Sequence, residues 1–343
     1  MVESVVVLGD RKKRISAFLL KNALYLVMFL LLSIIVIVQP SFLSFQNFYF
    51  IVTQSSSRII LALGIASIIV LGYTDLSLGR SVGMAAIVAS SLLQAVNYSQ
   101  RVFPDLPRLP IFVPIFAVMI LCSIFMVAQA LVVSKLKVAP FIASLGFQLI
   151  IYGLQSIYID RLNDSSPIGG LDPAFSNFAQ GAIEFSSFRI PYIIIYALVA
   201  SLIIWFLWNK TKLGRNMYAI GGNIEAATVS GVNVVANILA IYVIAGMMYG
   251  FGGALEGART GSVTNMLGQG YELDAIAACV VGGVSMRGGV GTVPGVVTGV
   301  LLFQIINYGL VYIGVNPYVQ FIVKGMIIVL AVAIDSQKYV KRR

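Results

Sequence analysis

Ten apolar stretches, most of them near twenty residues long, fill this chain and leave little room between them. They fall near 22–39, 57–73, 78–95, 110–133, 139–158, 190–208, 236–256, 273–284, 293–313 and 317–335. About 20 apolar residues in a helix cross the hydrocarbon core of a bilayer, so each stretch is a candidate span, the eighth being short. A soluble core has no use for this much apolar surface: 59% of the 343 residues are hydrophobic and 10% are charged, where soluble domains carry roughly 25% charged residues. The expectation is an all-α polytopic membrane protein with about ten transmembrane helices, forming one membrane domain over 1–343.

Charge sets the sides. With the N-terminus placed in the cytoplasm, the inner segments hold fifteen positive residues, among them Arg11 to Arg14, Arg80, Lys135, Lys137, Lys210, Lys212, Arg215 and Arg287. The outer segments hold five, namely Arg101, Arg108, Arg161, Arg189 and Arg259. The excess of Lys and Arg marks the cytoplasmic side, so both termini are expected inside: a basic N-terminus at 1–21 and a basic tail at 336–343. The net charge of +10 is thus a topology signal rather than a nucleic-acid-binding face, and no nucleic acid partner is implied. The run after "RKKR" spans as an uncleaved first helix, since no small-x-small cleavage site follows it. Cys122 and Cys279 lie in apolar runs and are expected as core thiols. Trp205 and Trp208 close the sixth span as interfacial aromatics. A long outer loop, 159–189, is rich in turn residues with room for a short helix. "SLGRSVGM" at 77 and "SMRGGVGT" at 285 raise an internal repeat at an offset of 208.

One cytoplasmic loop, 209–235, contains "GGNIEAATVSG". Asn223 is a good N-cap, Glu225 lies in the first turn where the helix dipole favours an anion, and Gly231 suits a left-handed terminus. These residues predict a helix of about two turns, with Ala226, Ala227 and Ser230 as a small-residue exposed face. So short a helix is marginal alone. It either lies on its own membrane domain or enters a groove of another protein.

Glu225-Ala226-Ala227, three residues, then Gly231 resembles the EAA-x-x-x-G signature of ABC importer permeases. The blocks "TDLSLGRSVGMAAIVA", "YELDAIAACVVGGVSMRGGVGTVPGVVTGV" and "INYGLVYIGVNPYVQFIVKG" extend the likeness over nearly the whole chain. Together they are similar to the ribose/galactose-type permeases of sugar ABC importers, and within that family to the galactose/methyl-galactoside branch. The resemblance implies that residues 221–231 form a coupling helix to a separate ATP-binding subunit, with Gly221, Gly222, Asn223, Glu225, Ala226, Ala227 and Gly231 in that contact. It also implies a soluble sugar-binding protein at the outer face, a permease homodimer, and ATP with Mg used only by the partner. No G-x-x-x-x-G-K-[S/T] cradle occurs in the chain, and no cofactor or metal is expected on it.

Other residues carry two readings each. Gln54, Asp75, Gly282, Gly283, Gln304 and Asn307 are candidates for the pathway or its gate, or else for helix packing. Ser55 and Gln148 share the polar reading, and Asp75 has a local ion pair with Arg80 as its alternative. Lys324 is an intramembrane charge, expensive unless partnered, with Asp274 and Glu272 as candidate partners. Arg108, Arg161, Arg189 and Arg259 either dock a binding protein or are solvated. Ribose, xylose or a nucleoside are alternative cargoes. An ion-driven secondary transporter is the other class, and it requires buried mid-span acids, which the sequence shows hardly at all. With no His and no nucleophile or metal constellation, an enzyme is disfavoured.

Overall fold

The computed structural model describes residues 26–184 and 189–340, apart from the side chains of 163 and 334–340. The basic N-terminus, residues 341–343 and the side chain of Lys338 lie outside the described residues. Helices dominate: α1 (Leu26–Val38), α2 (Phe45–Val70), α3 (Leu78–Leu92), α4 (Phe112–Ser134), α5 (Pro140–Asn163), α6 (Pro173–Gln180), α7 (Tyr192–Lys210), α8 (Lys212–Gly222), α9 (Ile224–Val229), α10 (Val234–Thr260), α11 (Tyr271–Val281), α12 (Val293–Tyr312) and α13 (Pro317–Val340). Each expected span overlaps one of these helices. Six are long and apolar enough to cross a membrane, namely α2, α4, α5, α7, α10 and α12, while α1, α3 and part of α13 are shorter apolar helices. The chain clusters into two compact units, Val52–Val300 and the pair Met1–Ile51 with Leu301–Arg343, and the boundaries fall within α2 and α12.

Helix α2 starts at Phe45 rather than near 57. The polar run Gln54-Ser55-Ser56-Ser57 interrupts the apolar pattern without interrupting the helix, because Ser56 and Ser57 find acceptors, one within α2 and one on α10. Ser56 Oγ donates to the Val52 carbonyl at 2.8 Å, and Ser57 Oγ donates to the buried Glu256 carboxylate. A hydroxyl that bonds back one turn costs a helix little.

In the larger unit α10 is the helix on which the others pack. Glycines let it approach closely: a Cβ at Gly246 would lie 2.6 Å from Ser123 Cα on α4, and one at Gly253 would lie 2.6 Å from the Val82 carbonyl oxygen on α3. Such small-residue contacts are what membrane helices use where no hydrophobic drive separates protein from lipid. Both cysteines are buried free thiols. Trp208 departs from the expected interfacial placement. It is 3% exposed and its Nε1 donates to Ser67 Oγ at 3.1 Å, whereas Trp205 is exposed with the Lys210 ammonium 5.8 Å from its ring centroid.

The long loop after α5 is ordered by caps and pairs. Asp172 caps α6 through the Ala174 N–H at 2.8 Å and takes a bidentate fork from Arg108 at 2.7 and 3.0 Å. A short hairpin, β1 (Ala182–Glu184) with β2 (Arg189–Pro191), brings Arg189 to Glu184 at 3.3 Å. Arg259 is held by Glu256 at 2.7 Å. Three of the four arginines considered for docking therefore have intramolecular carboxylate partners, while Arg161 is exposed in the last turn of α5. The suggested repeat pairs unlike structures: Ser77–Met84 opens α3, whereas Ser285–Thr292 is the turn ahead of α12.

Candidate coupling site and translocation core

The 209–235 loop, expected on the cytoplasmic side, folds into two helices, not one. Thr211 caps α8 by accepting from the Gly214 N–H at 3.2 Å, and α8 buries Gly214, Met217 and Ile220. Asn223 ends α8 and starts α9, its side chain accepting from the Ala226 N–H at 2.9 Å. At the far end Gly231 takes φ +80°, and the Val232 N–H reaches back to the Ala227 carbonyl at 3.1 Å. That is the left-handed helix stop expected from the sequence. One expectation is corrected. Ala227 faces inward, 4% exposed, because the i to i+4 geometry of so short a helix turns one side chain onto its support. The outward face is made by Glu225, Ala226, Ser230 and an apolar Val229 that is 90% exposed.

Glycines then connect this loop to the core. Gly221 sits against the Val70 carbonyl at the end of α2, and a Cβ there would also fall 2.6 Å from the Gly289 nitrogen. The Gly289 N–H in turn donates to the Val70 carbonyl at 2.8 Å. A Cβ at Gly288 would lie 2.7 Å from Gly72 Cα, and Tyr218 Oη on α8 donates to the Gly291 carbonyl at 2.9 Å. Three loops, 71–77, 209–235 and 282–292, thus meet backbone to backbone. Gly288 and Gly289 have φ of +85° and +71°, so side chains are excluded there by conformation as well as by space. Gly282 packs on the Gly295 backbone, while Gly283, at φ +86°, has open space around it. Gly222 likewise has nothing within 4 Å of a Cβ position. Beside α9 lies a groove of about 590 Å³ lined by Glu225, Thr228, Lys137, Tyr73 and Ser134 among others.

Past Gly72 the chain turns back into the bundle. Asp75 is fully buried and accepts from the Ser77 N–H at 2.9 Å, Ser77 Oγ at 2.7 Å, Gln129 Nε2 at 3.1 Å and Tyr249 Oη at 2.9 Å. Tyr249 lies 15 residues past Val234 in a 27-residue helix, about 22 Å along it. Asp75 therefore sits beside the middle of α10, not at its inner end. Arg80 is not its partner: the guanidinium donates to the Asn265 carbonyl at 3.3 Å and lies 4.1 Å from the Tyr152 ring centroid. Arg80 is thus withdrawn from the inner-loop charges, because the segment before α3 is re-entrant.

Buried acids are present, yet Asp75 alone lies beside the middle of a long helix: Glu256 is four residues before the end of α10 and Glu272 is the second residue of α11. Asp75 and Glu256 are 0% exposed and Glu272 is 7% exposed. Glu256 is answered by Arg259 and, at 3.9 Å, by Arg58. Of the other candidates, Gln54 is half-buried on α2 and Gln148 half-buried on α5, while Ser55 is buried. Gln304, Asn307 and Lys324, all half-buried, belong to the smaller unit, whereas Gln54, Asp75, Gly282, Gly283 and Asp274 belong to the larger. Among the described residues no group of His, Cys, Asp or Glu is arranged to hold a metal.

Residues 47–332 match the family described as branched-chain amino acid transport system / permease component. The chain belongs to this permease family. The galactose/methyl galactoside import permease protein MglC of Haemophilus influenzae is 55% identical over 323 residues, covering 94% of this chain and 96% of the relative. The protein of that name from Escherichia coli is 53% identical over 332 residues, covering 97% and 98%. The ribose import permease protein RbsC of Bacillus subtilis is more distant, 34% identical over 92% of each chain. No solved structure matches. The likeness to sugar ABC importer permeases is borne out, and with its apolar helices the permease is a multi-pass inner-membrane protein.

Proposed function

We propose that the permease carries galactose or a methyl galactoside across the inner membrane, as the membrane-spanning subunit of a binding-protein-dependent ABC importer driven by a separate ATPase. The observation that carries the coupling role is α9 itself. A capped helix of six residues buries only Ala227 and leaves Val229 90% exposed. Val229 together with Ile224, 41% exposed, gives this capped element an apolar face that a partner can cover. Its neighbour α8 is anchored to the glycine junction, so force applied to α9 has a stiff route to α2 and to the turn before α12. The sugar assignment rests on relatives that are 53–55% identical over nearly the whole chain.

Ten spans with both termini cytoplasmic remain the topology that the charge count favours. Loops 71–77, 209–235 and 282–292 meet at one junction, which supports placing them on one side. The partner ATPase uses ATP and Mg, a soluble receptor delivers sugar to the outer face, and two permease chains form the pathway. The test is co-purification of the permease with its co-encoded ATPase, alongside receptor-stimulated sugar uptake. Val229→Asp and Thr228→Pro should lose both while the permease still inserts, since proline at 228 removes a bond to the Ile224 carbonyl within α9. Full assembly and uptake in both variants would remove α9 from the interface.

A further inference from the structure

The re-entrant segment before α3 has a counterpart after α10. Residues 261–270 leave the end of α10, pair Val263 with Ile168, and then pass down alongside α3. Gly79 lies against both the Gly268 carbonyl and the Glu272 carboxylate, and a Cβ at Gly83 would fall 2.9 Å from Gln155 Oε1. Two short helices, α3 and α11, thus begin inside the bundle rather than at its surface. Discontinuous helices of this kind are where transporters build contacts to what they carry.

The side chains gathered at this break have unspent hydrogen-bonding capacity. Gln155 is 0% exposed, and its Nε2 donates to the Asn265 carbonyl and to Asn265 Oδ1, both at 2.9 Å. Asn265 Nδ2 donates to Ser156 Oγ at 2.9 Å. Gln155 Oε1 is buried and accepts nothing. A guanidinium has five N–H donors, yet the half-buried Arg80 makes one hydrogen bond, at 3.3 Å; its charge is felt by the nearby Glu272 carboxylate and its Cζ lies 4.1 Å from the Tyr152 ring centroid, which leaves most of its N–H groups open. A charge left inside a membrane bundle is costly and is kept where it contacts a partner or a passing solute. An orphaned acceptor costs about 1–3 kcal/mol. Arg80 and Gln155 both donate to the Asn265 carbonyl, so open donors and an open acceptor flank one backbone oxygen, a set that matches a polyol: each hydroxyl both donates and accepts. They do not match a carboxylate or a phosphate, which would leave the Gln155 oxygen facing another acceptor.

We propose that Arg80, Gln155 and Asn265, backed by Tyr152 and Glu272, form a hexose-contacting site at the break between α3 and α11. This rests on the sugar-import reading above and adds where within the larger unit the sugar is held. The site does not need to bind tightly, since selection by the receptor precedes it.

The test uses the permease reconstituted with its ATPase and receptor in liposomes, and measures uptake of galactose and of galactose analogues lacking one hydroxyl each. For each sugar the ratio of Gln155→Leu to unaltered permease is taken, so that the receptor's preference cancels. If Gln155 meets a hydroxyl, the ratio falls about tenfold for galactose and returns towards one for the analogue lacking that hydroxyl. A ratio equal for every sugar overturns the proposal, since a purely structural defect cannot distinguish them. Should Gln155→Leu fail to assemble, Ser156→Cys in an otherwise unaltered site serves instead. Saturating sugar should slow its modification by a small charged thiol reagent severalfold, and an unchanged rate overturns the site. No uptake of any sugar by the unaltered complex would instead strike down the sugar-import reading itself.

Discussion

Gly221 and Gly222 are neighbours in sequence, and the structure requires opposite outcomes when each is changed to alanine. A Cβ on Gly221 collides with the Val70 carbonyl and stands 2.6 Å from the Gly289 nitrogen, both of them backbone and unable to swing aside. The junction must open by roughly an ångström to admit it, an overpacking cost of about 1–3 kcal/mol. Opening it also stretches the 2.8 Å bond from the Gly289 N–H to the Val70 carbonyl, worth about 1 kcal/mol net. The sum is on the order of 2–4 kcal/mol, a large share of ordinary stability. Gly222 has nothing within 4 Å, and alanine there gains up to about 1 kcal/mol of helix propensity. Two assays read the difference: the Tm of the permease in detergent, and sugar transported per ATP hydrolysed in liposomes with ATPase and receptor. Gly221→Ala should lower both, because force on α8 would no longer reach α2 and the turn before α12. Gly222→Ala should hold or raise Tm. Equal behaviour of the two variants would refute the junction as a rigid link.

Three further outcomes follow from single contacts. Asp75→Ala strips the acceptor from Tyr249, Gln129 and Ser77 at once, so it should lower Tm more than Asp75→Asn, which keeps one carbonyl oxygen; the reverse order would mean the network is not what holds that loop. Trp208→Phe loses the bond to Ser67 and should cost about 1 kcal/mol, while Trp205→Phe should leave Tm unchanged. At Asp172 burial pushes the carboxyl up, but the Arg108 fork, the Ala174 N–H and the Arg108 charge outweigh it and hold the group below its ordinary value. Its contribution is therefore complete above the ordinary carboxylate value, about pH 4, and is lost as pH falls through the depressed folded value. Protection of α6 amides, taken relative to the intrinsic exchange rate at each pH, should hold from neutral pH down to about 4 and fall below that, with Asp172→Asn less protected throughout.

Much of this was legible from residue order, and the failures share a cause. Apolar length located every helix that overlaps an expected span, and Asn223, Glu225 and Gly231 announced α9 because capping is local chemistry. Periodicity does not report depth. A chain that re-enters the bundle carries the same Asp-Leu-Ser-Leu-Gly-Arg as one that turns at a surface, so residue order alone counts Arg80 among the inner charges and pairs it with Asp75. Only the contact of Tyr249 Oη with Asp75 at 2.9 Å fixes their level. The glycine junction was half visible: Gly288 and Gly289 stood out within a dense run, but Gly72 is one residue in "VLGYTD", and its partners lie more than 140 positions away. Trp208 lies inside rather than at an interface because an amphipathic ring suits a satisfied interior equally well, and the partner that satisfies it, Ser67, is 141 residues distant.

The buried acids bear on what drives transport. A gradient-driven carrier needs a carboxylate whose oxygens are open to a cation or proton in one state. Glu256 is closed by Ser57, Arg259 and Arg58, and this cluster carries a net positive charge that repels cations. Asp75 has three donors on one oxygen and one on the other, all neutral groups: two from Ser77 in the loop itself, one from α4 and one from α10. Such an acid pins a re-entrant loop by its hydrogen bonds and presents no open coordination shell. The mechanical route is open by contrast. From the exposed Val229, through α8 and Gly221, to Val70 and the loop that Asp75 pins, every step is a backbone contact or a buried hydrogen bond. Under the coupling role proposed above, a push on α9 would travel this route to the depth where α3 begins, beside the polar break at Arg80 and Gln155.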